Sequence, residues 1–267
     1  ALAGTGVGKS LFMCHVAASA LLQGKNVLYI TLEMAEEKIA ERIDSNLLNI
    51  PIQKLHDLPR VMFDSKIRNL AKKTQGKLII KEYPTASAHV GHFKALLGEL
   101  ALKRSIKPDI IFVDYLNICA SQRYKGSIVN SYTYVKAIAE ELRGLAVETN
   151  VPIVSATQTT RSGFGSSDVD LTDTSESFGL PATADLMFAL ISTEELEEMN
   201  QIMVKQLKNR YNDPTMNKRF CVGIDRAKMR LYDVEDSAQT DIQDSGQDAG
   251  VVKNFTAKQK FVDLKYD

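Results

Sequence analysis

Apolar residues recur along this chain with two different periods, and the periods alternate. Leu11, Phe12, Val16, Ala17, Leu21 and Leu22 fall at helical spacing and stop at Gly24. Val27-Leu28-Tyr29-Ile30 then forms a short continuous apolar run, the mark of a strand buried on both faces, ending near Thr31. A helix is predicted from about Ala35 to Leu48, broken by Pro51, and another near Asp64 to Thr74. Leu78-Ile79-Ile80 reads as a strand and Phe93 to Leu102 as a helix. Ile110-Ile111-Phe112-Val113 is a strand closed by Asp114. Tyr132, Val135, Ile138, Ala139, Leu142 and Leu145 return to helical spacing, and Pro152 leads into the strand Ile153-Val154-Ser155-Ala156. Short apolar strands separated by helices predict a parallel sheet covered on both faces, an α/β fold. From about Leu186 the rhythm tightens. Leu186 to Ile191, Gln201 to Leu207, Phe220 to Ile224 and Met229 to Tyr232 predict neighbouring strands, an antiparallel extension of the sheet.

Between these elements lie two long polar loops. Gln122 to Ser131 carries Arg123, Lys125 and Gly126, and Thr159 to Ser177 is dense in Ser, Thr, Gly and Asp. Loops of that length in a compact α/β domain are functional or disordered. Residues 235–250 hold five acidic side chains and no basic one, which reads as an acidic linker, and 251–267 reads as a docking tail. Residues 1–234 are therefore expected to form one large domain. With 267 residues and 44% hydrophobic content, the chain can bury a full core. Lys+Arg and Asp+Glu both number 33, so no global basic field announces a nucleic acid, and any such binding must come from local patches. One such patch is residues 201–234, with eight Lys/Arg against three Asp. Cys14, Cys119 and Cys221 lack metal-ligand spacing and read as reduced apolar residues of a cytosolic-type protein. No membrane-spanning run or signal peptide is visible.

The chemistry begins at Ala3-Gly4-Thr5-Gly6-Val7-Gly8-Lys9-Ser10, a phosphate-binding loop of the P-loop type. Its glycines let the backbone curl so that several N–H groups point at one anion. Lys9 adds a charge for the outer phosphates, Ser10 is the expected magnesium ligand, and the following helix aims its N-terminal dipole at the same spot. Ala3 stands where such loops usually start with Gly, a position that only opens the turn. A strand should precede this loop, and none is expected from the residues before it. The numbering is therefore expected to begin inside a longer chain.

Ligands of open α/β sheets sit at the C-terminal ends of the strands. Asp114 ends one strand and suits a carboxylate that holds magnesium through water; a capping Asp would look the same. Glu33 follows another and could orient or deprotonate the attacking water, or simply open the next helix. Gln158 follows a third and could report the nucleotide's state to the adjoining loop, or be an ordinary loop residue. Lys208-Asn209-Arg210 reads first as a solvated basic turn; the alternative is a cation pair inserted into a neighbour's site. Tyr232 is the candidate for stacking on adenine. Of four histidines, His89 and His92 alone have a metal-compatible spacing, and with no third ligand they read as surface residues.

Taken together these pieces resemble the ATPase domain of the DnaB-type replicative helicases over about residues 1–234. The resemblance rests on Gly8-Lys9-Ser10, Thr31-Leu32-Glu33-Met34, Val113-Asp114-Tyr115-Leu116, Ser155-Ala156-Thr157-Gln158 with Arg161, and Lys208-Asn209-Arg210. In detail it is similar to the helicases of T-even-type bacteriophages. The resemblance implies a RecA-like P-loop NTPase core, ATP with Mg2+, and a ring hexamer around one DNA strand. Gly4, Thr5, Gly6, Val7, Gly8, Lys9 and Ser10 would cradle the nucleotide, and Ser10 and Asp114 the metal. Glu33, Lys9 and Gln158 would act in one subunit, with Arg210 and Lys208 supplied by the next. Arg123, Lys125 and Arg161 are the candidate DNA contacts. Translocation five-prime to three-prime, a primase, a helicase loader and a bacterial host cytoplasm follow from the same resemblance. The alternatives are a RecA-type strand-exchange ATPase and a non-catalytic ATP-binding scaffold.

Overall fold

The computed structural model describes residues 1–124, 129–159, 179–213, 216–235 and 239. Strand β1 (Leu2–Ala3) leads into the glycine loop and helix α1 (Lys9–Leu22). Then come β2 (Val27–Thr31), α2 (Glu36–Leu48), α3 (Ile52–His56), α4 (Arg60–Lys73), β3 (Leu78–Glu82) and α5 (Val90–Arg104). β4 (Ile110–Asp114) is followed by a single 3-10 turn, Leu116–Ile118, and by α6 (Ser131–Thr149). β5 (Ile153–Ser155) and β6 (Thr157–Gln158) are separated only by Ala156. The remainder is α7 (Gly179–Thr183), β7 (Leu186–Ile191), α8 (Glu194–Glu198), β8 (Gln201–Asn209), β9 (Arg219–Asp225) and β10 (Arg230–Asp233).

Strands lie in the orders β3-β2-β4-β5 and β10-β9-β8-β7-β1-β6. The two sheets meet along the β5–β6 segment. There the amino group of Ala1 donates to Ser155 O (2.6 Å), and Thr157 N donates to Ala1 O (2.8 Å). β1 through β7 pair in parallel, and β8, β9 and β10 are antiparallel.

Two details differ from the sequence reading. A strand does precede the glycine loop: Leu2 and Ala3, both fully buried, pair with β6 on one side and β7 on the other. The antiparallel extension also starts one strand later than expected, because β7 runs parallel to β1. A strand buried on both faces carries no direction in its apolar pattern, so only pairing decides it.

Alternation along the central strands divides the core into two layers. Leu28, Ile30, Ile111 and Val113 face α5 and α6, packing on Phe93, Ile138 and Leu142. Val27, Tyr29 and Phe112 face α1 and α2, packing on Met13, Ala17, Ile39 and Ile43. In that second layer the Tyr29 and Phe112 rings stack with centroids 5.6 Å apart and planes 12° from parallel. A third cluster, with Leu11, Leu190, Val204 and Ile224, packs the loop end of α1 against the antiparallel strands.

The cysteines are free and buried, and burial pushes the Cys14 and Cys119 thiols up to about 12, so they behave as apolar residues. His89 and His92 cap α5: His89 Nδ1 accepts from Gly91 N (3.0 Å), and His92 Nδ1 from His89 N (3.2 Å). Among the described residues no cluster of three or more His, Cys, Asp and Glu is placed to hold a metal, and no helix is long and apolar enough to cross a membrane. The segment 236–267, apart from Gln239, lies outside the described residues, and the linker and tail expected there with it. Gln239 itself clasps the edge of β9, its side chain accepting from Cys221 N and donating to Cys221 O.

Candidate active site

The glycine loop leaves β1 and turns back into α1 on two positive-φ glycines, Gly6 (φ 80) and Gly8 (φ 132). Side chains are strained in these conformations, which is why the loop needs glycine at both positions. Val7 N donates to Gly4 O (3.4 Å), and Phe12 N to Gly8 O (2.8 Å), so the curl closes directly onto the first helical turn. Lys9 folds back over the loop, its Nζ donating to Gly4 O (3.1 Å) and Ala3 O (3.4 Å). Burial lowers the Lys9 pKa, and the charges of Glu33 and Asp114 pull it back up. Three residues far apart in sequence thus sense one another electrostatically.

Register explains how. Thr31 on β2 pairs with Asp114 on β4, and Leu32 N donates to Asp114 O (2.9 Å), so the two adjacent strands end at the same level, with Glu33 two residues past that end. On the other flank Ala3 pairs with Gln158 of β6, which sets Gln158 beside the start of the loop. Its Nε2 donates to Tyr115 Oη (3.2 Å), and Tyr115 directly follows Asp114. Lys9, Ser10, Glu33, Asp114 and Gln158 therefore converge on one end of the sheet. Glu33 is exposed at its rim, whereas Asp114 is buried.

Asp114 has the environment of a cation ligand. Burial raises its pKa; Tyr29, Ser10, Arg42 and Lys9 each act to lower it. Tyr29 Oη donates to Oδ2 (2.9 Å). Oδ1 is buried without a hydrogen-bond partner among the described residues. The Ser10 hydroxyl is near enough to favour the carboxylate's charge, yet it does not meet hydrogen-bond geometry at Oδ1; this is proximity and not a bond. An orphaned carboxylate oxygen beside a hydroxyl is a donor set that suits Mg2+, a hard ion preferring oxygen.

Lys208 and Arg210 stand elsewhere. β8 runs against β7, so Lys208 pairs with Met187 and Arg210 N donates to Asp185 O (2.8 Å), at the start of β7. The glycine loop leaves from the level of Leu190, five residues on, which is roughly 16 Å along the strand at about 3.3 Å per residue. Arg210 Nε and Arg143 Nη2 lie 2.7 and 3.0 Å from Asp185 Oδ1, and Lys208 Nζ donates to the carbonyls of Pro181 and Ala182. The pair thus sits at the far end of the sheet from its own loop. A cavity of about 650 Å³ lies at that far end, lined by Phe12, Ile153, Met187, Arg143 and Asp185 among others.

The candidate DNA contacts are only partly within view. Lys125 and Arg161 lie outside the described residues. Arg123 is ion-paired with Glu140, 2.5 Å away. Tyr232 lies over Gly223 on the edge hairpin. Two residues at the site were missed from sequence. Arg226, in the β9–β10 turn, donates to Gly6 O (3.4 Å) and lies 3.8 Å from Glu197. Its only sequence signal was the local basic excess of residues 201–234. Tyr29 was read as core; the signal was a hydroxyl inside an otherwise apolar strand.

Comparison with known proteins decides the family. The model of the DnaB-like helicase C terminal domain matches residues 2–222. The chain belongs to the DnaB-like helicase C-terminal domain family. A DnaB-like replicative helicase of Enterobacteria phage T4 is 45% identical over 247 residues, covering 91% of this chain and 52% of that protein. The replicative DNA helicase DnaB of Helicobacter pylori is 28% identical over 191 residues, covering 69% of this chain and 37% of that protein. The chain spans about half the length of its phage relative. Two solved structures share the DnaB-type fold. A DnaB-like replicative helicase studied with primase has TM-score 0.72 at 19% identity, covering 88% of this chain and 56% of that one. A second solved structure, of an ATPase domain, has TM-score 0.73 at 18% identity, covering 88% and 83%. The α/β, RecA-like reading of the sequence holds.

Proposed function

We propose that this domain is the ATP-hydrolysing motor of a replicative DNA helicase, acting as a ring hexamer on single-stranded DNA with each site shared between neighbours. The observation that carries this reading is the division of charged groups between the two ends of the strands. Lys9, Ser10, Glu33, Asp114 and Gln158 occupy one end, and Lys208 and Arg210 the other. Membership of the DnaB-like family supports it.

In this mechanism the N–H groups of Gly4 to Gly8 and the N-terminus of α1 hold the triphosphate. Lys9 exchanges the carbonyls of Ala3 and Gly4 for phosphate oxygens. Ser10 and Asp114 would hold Mg2+, which when bound neutralises charge on the phosphates. Glu33, exposed at the rim, orients the attacking water and accepts its proton. Arg210 and Lys208 of the adjacent subunit balance the charge that develops on the transferred phosphoryl group. Gln158, on the strand that runs into residues 159–177, passes the state of the site to that loop. Arg123, Lys125 and Arg161 contact the DNA backbone, and Arg123 exchanges Glu140 for phosphate when it does so. Movement is five-prime to three-prime in a bacterial host cytoplasm. Primase is a partner, in keeping with the structural relative studied with it, and so is a helicase loader. Residues 235–250 link the motor to a docking tail at 251–267.

Forked-duplex unwinding by the full-length protein tests the reading. ATP-dependent separation of a fork, with no strand exchange between homologous duplexes, is the expected result. Strand exchange without unwinding would replace it with the recombinase alternative. Unchanged primosome assembly after deletion of residues 235–267 would remove the docking role of the tail.

A further inference from the structure

Tyr29 is fully buried in the middle of β2, within the apolar layer that faces α1 and α2. Val or Ile would pack there as well, so the hydroxyl calls for an explanation; a buried hydroxyl needs a partner. Register supplies one. Tyr29 pairs with Phe112 and Thr31 with Asp114, which makes Tyr29 and Asp114 diagonal neighbours on one face of the sheet. That diagonal is within reach of an aromatic side chain and beyond a branched aliphatic one. The ring, stacked on Phe112, delivers Oη to Asp114 Oδ2 at 2.9 Å. From the other side Cys14 Sγ donates to the same Oη (3.9 Å). Ser10 and Cys14 are four apart on α1 and share its inner face. Helix α1 therefore presents Ser10 to Asp114 and Cys14 to Tyr29.

We propose that Tyr29 is a positioning residue for the candidate metal site: by donating to Oδ2 it fixes the Asp114 carboxylate with Oδ1 held free for a divalent cation beside Ser10. This rests on the nucleotide-site reading given above and deepens it. The carboxylate has one oxygen occupied by a fixed donor and the other left without a partner among the described residues. A donor held in an apolar layer cannot be replaced by solvent, so the orientation is set before any nucleotide arrives. Groups that orient metal ligands in this way commonly change metal affinity about ten- to a hundredfold when removed.

The experiment uses the full-length protein, Mn2+ and a non-hydrolysable ATP analogue, with free and bound Mn2+ resolved by electron paramagnetic resonance. Analogue binding is also measured in EDTA. Tyr29→Phe is expected to lower Mn2+ affinity about ten- to a hundredfold while leaving metal-free analogue affinity unchanged. Replacement of Tyr29 by 4-aminophenylalanine, which keeps a para donor, is expected to restore Mn2+ binding. A folded Tyr29→Phe protein with wild-type Mn2+ affinity overturns the inference. If Tyr29→Phe does not fold, the 4-aminophenylalanine protein decides: wild-type Mn2+ affinity supports the inference and a loss overturns it. A wild-type protein that binds no Mn2+ with the analogue overturns the site reading, and this inference falls with it.

Discussion

Mixing two inactive variants gives the sharpest test of where Arg210 acts. Lys9→Ala removes the loop cation and leaves the far end of the sheet intact. Arg210→Ala does the reverse. The roughly 16 Å between the level of Arg210 and the glycine loop of its own subunit is more than its side chain spans, and the side chain is already anchored on Asp185 and Ala182. If Arg210 serves the neighbour, an interface joining an Arg210→Ala loop to a Lys9→Ala finger is complete. In a random one-to-one mixture about one quarter of head-to-tail interfaces have that composition. Each pure variant is expected to lose at least about a thousandfold in kcat, roughly 4 kcal/mol of transition-state stabilisation. Phosphate release by the mixture should then recover to about a quarter of the wild-type rate, far above either parent. Arg143 still pairs with Asp185 in Arg210→Ala, so the local fold is expected to survive. No recovery at any mixing ratio, with both proteins folded and assembled, would refute action across the interface.

Three further outcomes follow from the geometry. Glu33→Gln should keep nucleotide affinity and lose about a hundred- to ten-thousandfold in hydrolysis, read by nucleotide titration and phosphate release; normal turnover would remove Glu33 from the mechanism. Gly8→Ala should lower both Tm and nucleotide affinity. Ile224 Cδ1 would lie 3.8 Å from the new Cβ, so the cost of about 1–3 kcal/mol is backbone strain at φ 132 and not a clash; unchanged values would argue against a rigid loop. Burial pushes the Asp44 carboxyl from 3.8 to about 6. The folded chain then holds that proton to higher pH than the unfolded chain does. The stability it contributes is full below about pH 4 and lost as pH rises through about 6. Asp44→Asn lacks that loss, so its Tm should gain on wild type across this window and level off above it; a difference that does not vary with pH would exclude the buried carboxyl.

The sheet and the near half of the site were legible because their signals are local. Apolar runs of strand length ending in Asp114 and just before Glu33 mark the ligand end of a parallel sheet whatever surrounds them. The glycines of the loop reflect a backbone requirement that no neighbour can relax. The five-residue helices α3, α7 and α8 were not legible, since five residues hold too little of a helical period. α4 begins at Arg60, directly after Pro59 and four residues before the expected start at Asp64. The direction of β7, the contact of Arg226 with the loop and the bond from Tyr29 to Asp114 depend on which strand lies beside which. Residue spacing does not contain that information.

If Arg210 and Lys208 serve the neighbouring copy, as proposed, a subunit whose acceptor and donor groups lie at opposite ends of its strands can use both only by stacking front to back on its copies. Pairing about a two-fold axis would oppose like with like and leave every site without its borrowed cation. An open row always wastes one loop at one terminus and one Arg210 at the other. Closing the row recovers both, so turnover per subunit should step upward at the moment the last gap shuts.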